Sequence, residues 1–146
     1  MAETYNRIGS VTVGSGGAST ITFSNIPQTY TDLVVKFSMK STTANQNTDG
    51  LFLFFDITNK HSLSILRKKI KTIVKSVGNT VPIVVIANKS DLIESRETSD
   101  KKIQVFLDKL NELNSYVQFF ETSNKTKQNV NESFKWLLNQ MNDSAK

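Results

Sequence analysis

At 146 residues the chain suits a single domain with a usable core. Its 38% hydrophobic and 21% charged residues are those of an ordinary soluble globular protein. The absence of cysteine excludes disulfides, thiol catalysis, zinc-thiolate sites and prenylation at a C-terminal CaaX box. The formal net charge is +5, so contact with nucleic acid or an anionic surface has to be weighed. No apolar run approaches the length of about eighteen residues that a membrane-spanning helix needs. The opening MAETYNRIGS has no apolar signal core, so a cytoplasmic location is expected.

In chain order, residues 1–48 come first, rich in Ser, Thr, Gly and Asn and with few charges. RIGSVTV reads as a strand and GSGGAS as a turn that uses permissive glycines. TITF alternates apolar and polar residues, and SNIPQTYT is a loop marked by Pro27. DLVVKFSMK alternates again, with Leu33, Val35, Phe37 and Met39 on one face. This is the pattern of a short β-meander.

The period changes beyond residue 48. DGLFLFFDI is a continuous apolar strand of the kind buried on both faces. A helix is predicted over about 60–77, with Leu63, Leu66, Ile70, Ile73, Val74 and Val77 at helical spacing. Its other side carries Arg67, Lys68, Lys71 and Lys75. We read this as a solvated face, the alternative being a patch for nucleic acid or anionic lipid. No aromatic platform or nucleic-acid motif accompanies it, so nucleic acid is not expected as a partner. VPIVVIAN is a second buried strand. SDKKIQVFLDKLNEL is a second helix, with Ile103, Phe106, Leu107 and Leu110 along one side. YVQFFET is a third strand and NVNESFKWLLNQM a third helix. Strands alternating with helices imply parallel β-α units. The expected fold is α/β: three such units preceded by a meander that adds antiparallel strands.

Two strand ends carry chemistry. Asn88-Lys89-Ser90-Asp91 follows IVVIA directly. Guanine offers two adjacent donors, N1–H and the N2 amino group, and one carboxylate accepts both; adenine has no such pair. Charge-assisted bonds of this kind contribute roughly 1.5–3 kcal/mol each where water is excluded. The second strand end is FFETSNK, where small residues let backbone N–H groups approach a base. Together with DGLFLFFDITNKHSL, VPIVVIANKSDL, ESRE and FFETSNKTKQNVNESFKWLL, these pieces resemble the C-terminal half of a Rab-type small GTPase of the Ras superfamily over residues 49–141. The resemblance implies a small-GTPase-like sheet and GTP or GDP as ligand. It implies that Asp91 reads N1 and N2, that Asn88 bonds N7 and that the Lys89 stem lies along the base. It further implies that Ser123 supports the loop, the Asn124 N–H reaches O6 and Lys125 flanks the base. Asn124 departs from the family's usual alanine and could crowd the base.

Other parts of that family's machinery do not appear in these residues. G-x-x-x-x-G-K-[ST], whose backbone and lysine hold phosphates and whose hydroxyl holds magnesium, has no match. VGSGGAST lacks the lysine and precedes a strand, and D-x-x-G is also absent. His61, at a helix start, has no partner that would make it a base. We therefore expect weak guanine-nucleotide binding, no bound magnesium and no hydrolysis. NDSAK offers no lipid anchor.

Residues 5–43 resemble the opening of phage virion structural proteins. The expected division is thus 1–48, a β-rich segment, and 49–146, the half GTPase-like domain. The alternative function is a virion-associated structural module without nucleotide chemistry. Unpaired, the strand at Leu51–Phe55 would be an apolar edge open to self-association. Leu33–Met39 is the nearest strand able to cover it. The short polar link between them favours antiparallel pairing, because a parallel crossover needs a dozen or more residues.

Overall fold

The structure is a computed structural model, and it describes residues 34–40 and 47–143. These lie in one unit, Thr31–Lys146. The proposed strands before residue 34 lie outside the described residues. A four-stranded sheet runs in the order β1 (Val34–Lys40), β2 (Asn47–Asp56), β3 (Ile83–Asn88), β4 (Val117–Glu121). β2, β3 and β4 are parallel to one another, and β1 is antiparallel to β2. The β1–β2 register runs from Val34 opposite Leu53 to Lys40 opposite Asn47. The antiparallel partner expected for the apolar strand is therefore present, and Leu51 and Phe52 lie inside the sheet rather than at its edge.

The helices α1 (Lys60–Val77), α2 (Asp100–Asn111) and α3 (Val130–Asp143) complete the β-α alternation. The alternation of β2 divides the core. Leu51, Leu53 and Phe55 join Leu63, Leu66, Ile70 and Ile73 of α1 and Ile103, Phe106 and Leu110 of α2. Phe52 points the other way, with Val84, Ile86 and the α3 residues Leu137 and Met141. A strand clothed on both faces has to be apolar throughout, which accounts for the unbroken LFLFF. Arg67, Lys68, Lys71 and Lys75 are exposed, as a solvated helix face requires. Asn59 caps α1, its side chain accepting from the His61 N–H at 2.9 Å. His61 itself is exposed. Among the described residues, no helix is long and apolar enough to cross a membrane, and no cluster of His, Asp or Glu could hold a metal ion.

Candidate functional site

The carboxyl ends of β2, β3 and β4 lie side by side at one end of the sheet. Asp56 is opposite Asn88, and Ala87 is opposite Glu121. The chain leaves β3 through Lys89, whose φ of 68° is left-handed, and closes a turn in which the Leu92 N–H donates to the Lys89 carbonyl at 2.9 Å. Lysine pays a local cost of about 1 kcal/mol for that conformation. The turn is fastened to the loop after β4. The Thr122 N–H donates to the Ala87 carbonyl at 2.8 Å, and the Ser90 N–H donates to the Thr122 carbonyl at 2.9 Å.

This stitching brings Asp91 and Ser123 together. The Ser123 hydroxyl is fully buried and donates to Asp91 Oδ1 at 2.6 Å. The Ser123 hydroxyl oxygen in turn accepts from the Thr126 N–H at 3.1 Å. A short chain of hydrogen bonds thus fixes the carboxylate from behind. Oδ2 of Asp91 has no protein partner among the described residues. Asn88 is half-buried, and its side-chain oxygen accepts a long bond, 3.4 Å, from the Thr122 hydroxyl. Asn124 and Lys125 are exposed in the loop beyond. That loop is closed by a bridge between Ser123 and Gln128, and Gln128 also accepts from the Ser90 hydroxyl at 3.1 Å. Of the six residues singled out in the sequence, Asn88, Asp91 and Ser123 are therefore brought into one hydrogen-bonded frame. Asn124 and Lys125 lie at its rim.

Lys89 has a partner that sequence reasoning missed. Its ammonium meets Asp56 Oδ2 at 2.6 Å. Asp56 Oδ1 accepts from both the Thr58 N–H at 2.8 Å and the Thr58 hydroxyl at 2.7 Å. Burial raises the Asp56 pKa, but the bonds from Lys89 and Thr58 outweigh it and hold the carboxyl below its ordinary range. Arg96, inside ESRE, was missed as well. It grips both oxygens of Glu121 at 2.7 and 3.3 Å, Asp100 at 2.5 Å and the Thr98 carbonyl at 2.9 Å. The bond to Glu121 in particular raises the guanidinium pKa. This fork anchors the end of β4, from which Thr122 and Ser123 depart. The Lys89–Asp56 and Arg96–Glu121 pairings had no sequence signal, because each joins residues far apart in the chain.

A family model described as Ras family matches residues 34–143. Among curated proteins, the Ras-related protein RabZ of Dictyostelium discoideum is 31% identical over 76% of this chain and 46% of its own length. The Ras-related protein RABE1e of Arabidopsis thaliana is 34% identical over 58% of this chain and 37% of its own. A GTP-binding protein Rheb homolog of Dictyostelium discoideum is 36% identical over 66% of this chain and 50% of its own. The chain spans about half or less of the length of these relatives. With that match and a sheet of alternating β-α units, the chain belongs to the Ras family and is a small-GTPase-like protein.

Proposed function

We propose that this chain binds guanine nucleotides weakly, through the base, by the frame of Asn88, Asp91 and Ser123. The observation that carries the reading is the 2.6 Å bond from the buried Ser123 hydroxyl to Asp91, itself backed by the Thr126 N–H. A carboxylate held in place before the ligand arrives loses little entropy on binding. Its free oxygen is available to a donor pair such as guanine N1–H and N2–H. Asn88 supplies an amide for N7, and the Asn124 backbone supplies a donor for O6. Lys89 and Lys125 flank the base.

In the residues given, nothing matches a phosphate-binding loop, so affinity rests on the base and its sugar. At about −0.3 kcal/mol per heavy atom, a contact of guanosine size reaches about −6 kcal/mol. That corresponds to a dissociation constant between millimolar and micromolar. Binding is then insensitive to magnesium, and GTP is not hydrolysed, since phosphoryl transfer relies on a lysine, a metal and backbone donors around the phosphates. A cytoplasmic setting is part of this reading, as is the division at about residue 48 between a β-rich segment and the GTPase-like part. Calorimetric titration with GDP, in magnesium and again in EDTA, tests it. Equal, weak heats in both support the reading. A nanomolar complex that requires magnesium contradicts it.

A further inference from the structure

Away from the guanine frame, α1 carries a surface that the proposed function does not use, and we propose that it docks on an anionic phospholipid bilayer. Of the 18 Lys and Arg residues in the chain, α1 holds six, Lys60, Arg67, Lys68, Lys69, Lys71 and Lys75, and it has no Asp or Glu. The rest of the chain, with twelve cations against thirteen acids, is close to neutral, so the net positive charge resides in this one helix. Arg67, Lys68, Lys71 and Lys75 are exposed, and none of the four has an ion-pair partner among the described residues. Arg67, Lys71 and Lys75 follow at intervals of four and Lys68 stands three before Lys71, so all four share one side of the helix, successive charges about 6 Å apart. These like charges repel one another, and the helix dipole accounts for Lys75 alone, the cation in the last turn. An anionic surface relieves that repulsion.

The make-up of the stripe favours lipid over nucleic acid. Three of the four side chains are lysines, whose compact charges lack the planar fork that suits nucleic-acid phosphates and base edges. α1 has no Phe, Tyr or Trp on which a base could stack. A bilayer requires neither, because its anionic head groups move laterally and gather beneath each charge. The opposite side of α1, with Leu63, Leu66, Ile70 and Ile73, is buried in the core, so no apolar face of this helix is left to insert among acyl chains. Docking is therefore electrostatic and stays at the level of the head groups. Each Lys or Arg near such a surface strengthens binding about fivefold, so four together give an enhancement on the order of several hundredfold.

Vesicle flotation tests the proposal, with vesicles of phosphatidylcholine alone and of phosphatidylcholine with phosphatidylserine at one part in three. At low salt the unmutated chain is expected to float with the phosphatidylserine vesicles and not with the others, and added sodium chloride is expected to release it. The triple variant Lys68→Gln, Lys71→Gln, Lys75→Gln is expected to bind the phosphatidylserine vesicles about a hundredfold more weakly. The variant Lys101→Gln, Lys102→Gln, Lys109→Gln removes the same charge from exposed positions of α2 and is expected to stay within about fivefold of the unmutated chain. Thermal melting of each variant separates loss of binding from loss of fold; should the triple variant not fold, Lys71→Gln alone, expected to cost about fivefold, takes its place. The inference is overturned if the unmutated chain does not distinguish the two kinds of vesicle, or if salt does not release it. It is also overturned if the α2 variant loses as much binding as the α1 variant. Competition by a DNA duplex or single-stranded RNA that strips the chain from the vesicles at equal phosphate concentration would overturn it too, and would make the stripe a nucleic-acid surface.

Discussion

Ser123 and Asp91 show how much one hydroxyl can decide. Ser123→Ala removes the donor to Asp91 and the acceptor for the Thr126 N–H in a fully buried position. A loss of about 1 kcal/mol of stability is expected by thermal or urea melting, because the Asp91 carboxylate and the Thr126 N–H each lose a hydrogen-bond partner. Any guanosine affinity should fall with it. Asp56 makes a pH prediction. Its folded pKa is depressed, so the stability it contributes is fully present above its ordinary value and is lost as pH falls through the lower, folded value. Asp56→Asn should therefore flatten the acid limb of the stability curve below about pH 4, measured by urea melts across pH. The effect is modest, since Lys89 is half exposed and its pair is screened. At this scale the sequence was only partly legible. Asn88 and Asp91 follow a recognisable pattern at a strand end, and Ser123 follows from the second motif. Asp56 does not, because an aspartate closing a strand looks alike whether it faces water or a lysine 33 residues on.

At the level of elements, periodicity did most of the work. The helix predicted over 60–77 is α1 with the same bounds, and five of its six apolar positions are buried. β2 begins two residues earlier than the strand predicted over DGLFLFFDI, because Asn47 and Thr48 still pair with β1. Pairing with a neighbour, rather than composition, sets that boundary. The loop before β4 held no signal at all. Asn114 is buried there, donating to the Val81 carbonyl at 2.9 Å and accepting from the Tyr116 N–H at 2.7 Å. It satisfies backbone groups that only the tertiary fold brings near. Gly50 has a similar hidden role. A Cβ at this position would sit 2.8 Å from the Met141 sulfur and 3.0 Å from a Leu137 methyl. Both side chains belong to α3, so the glycine sets how closely that helix approaches β2. Gly50→Ala should cost about 1–3 kcal/mol by overpacking, read as a lower midpoint in chemical unfolding with the m-value unchanged.

For the molecule as a whole, β1 is what makes the sheet complete on one side. It pairs with β2 from Asn47 to Leu53 and so covers backbone groups that would otherwise recruit another chain. Removing residues 1–40 should expose the apolar strand at Leu51–Phe55 and yield dimers or larger aggregates by light scattering. A monomeric remainder with unchanged melting would mean that β1 is dispensable. The antiparallel direction of β1 was legible from the length of the link alone, whereas the virion-like character proposed for residues 5–43 falls largely outside the described residues. The same whole-molecule view frames the function. A Ras-family sheet carries Asn88, Asp91 and Ser123 at its carboxyl end, the frame we propose reads guanine, and the residues given contain no match to a phosphate loop. The most direct measurement is a paired titration with guanosine and adenosine on the unmutated chain and on Asp91→Asn. Binding of guanosine alone, at least tenfold over adenosine and with the preference lost in Asp91→Asn, is the predicted result. Equal binding of the two nucleosides, or a guanine preference that survives Asp91→Asn, would contradict the account.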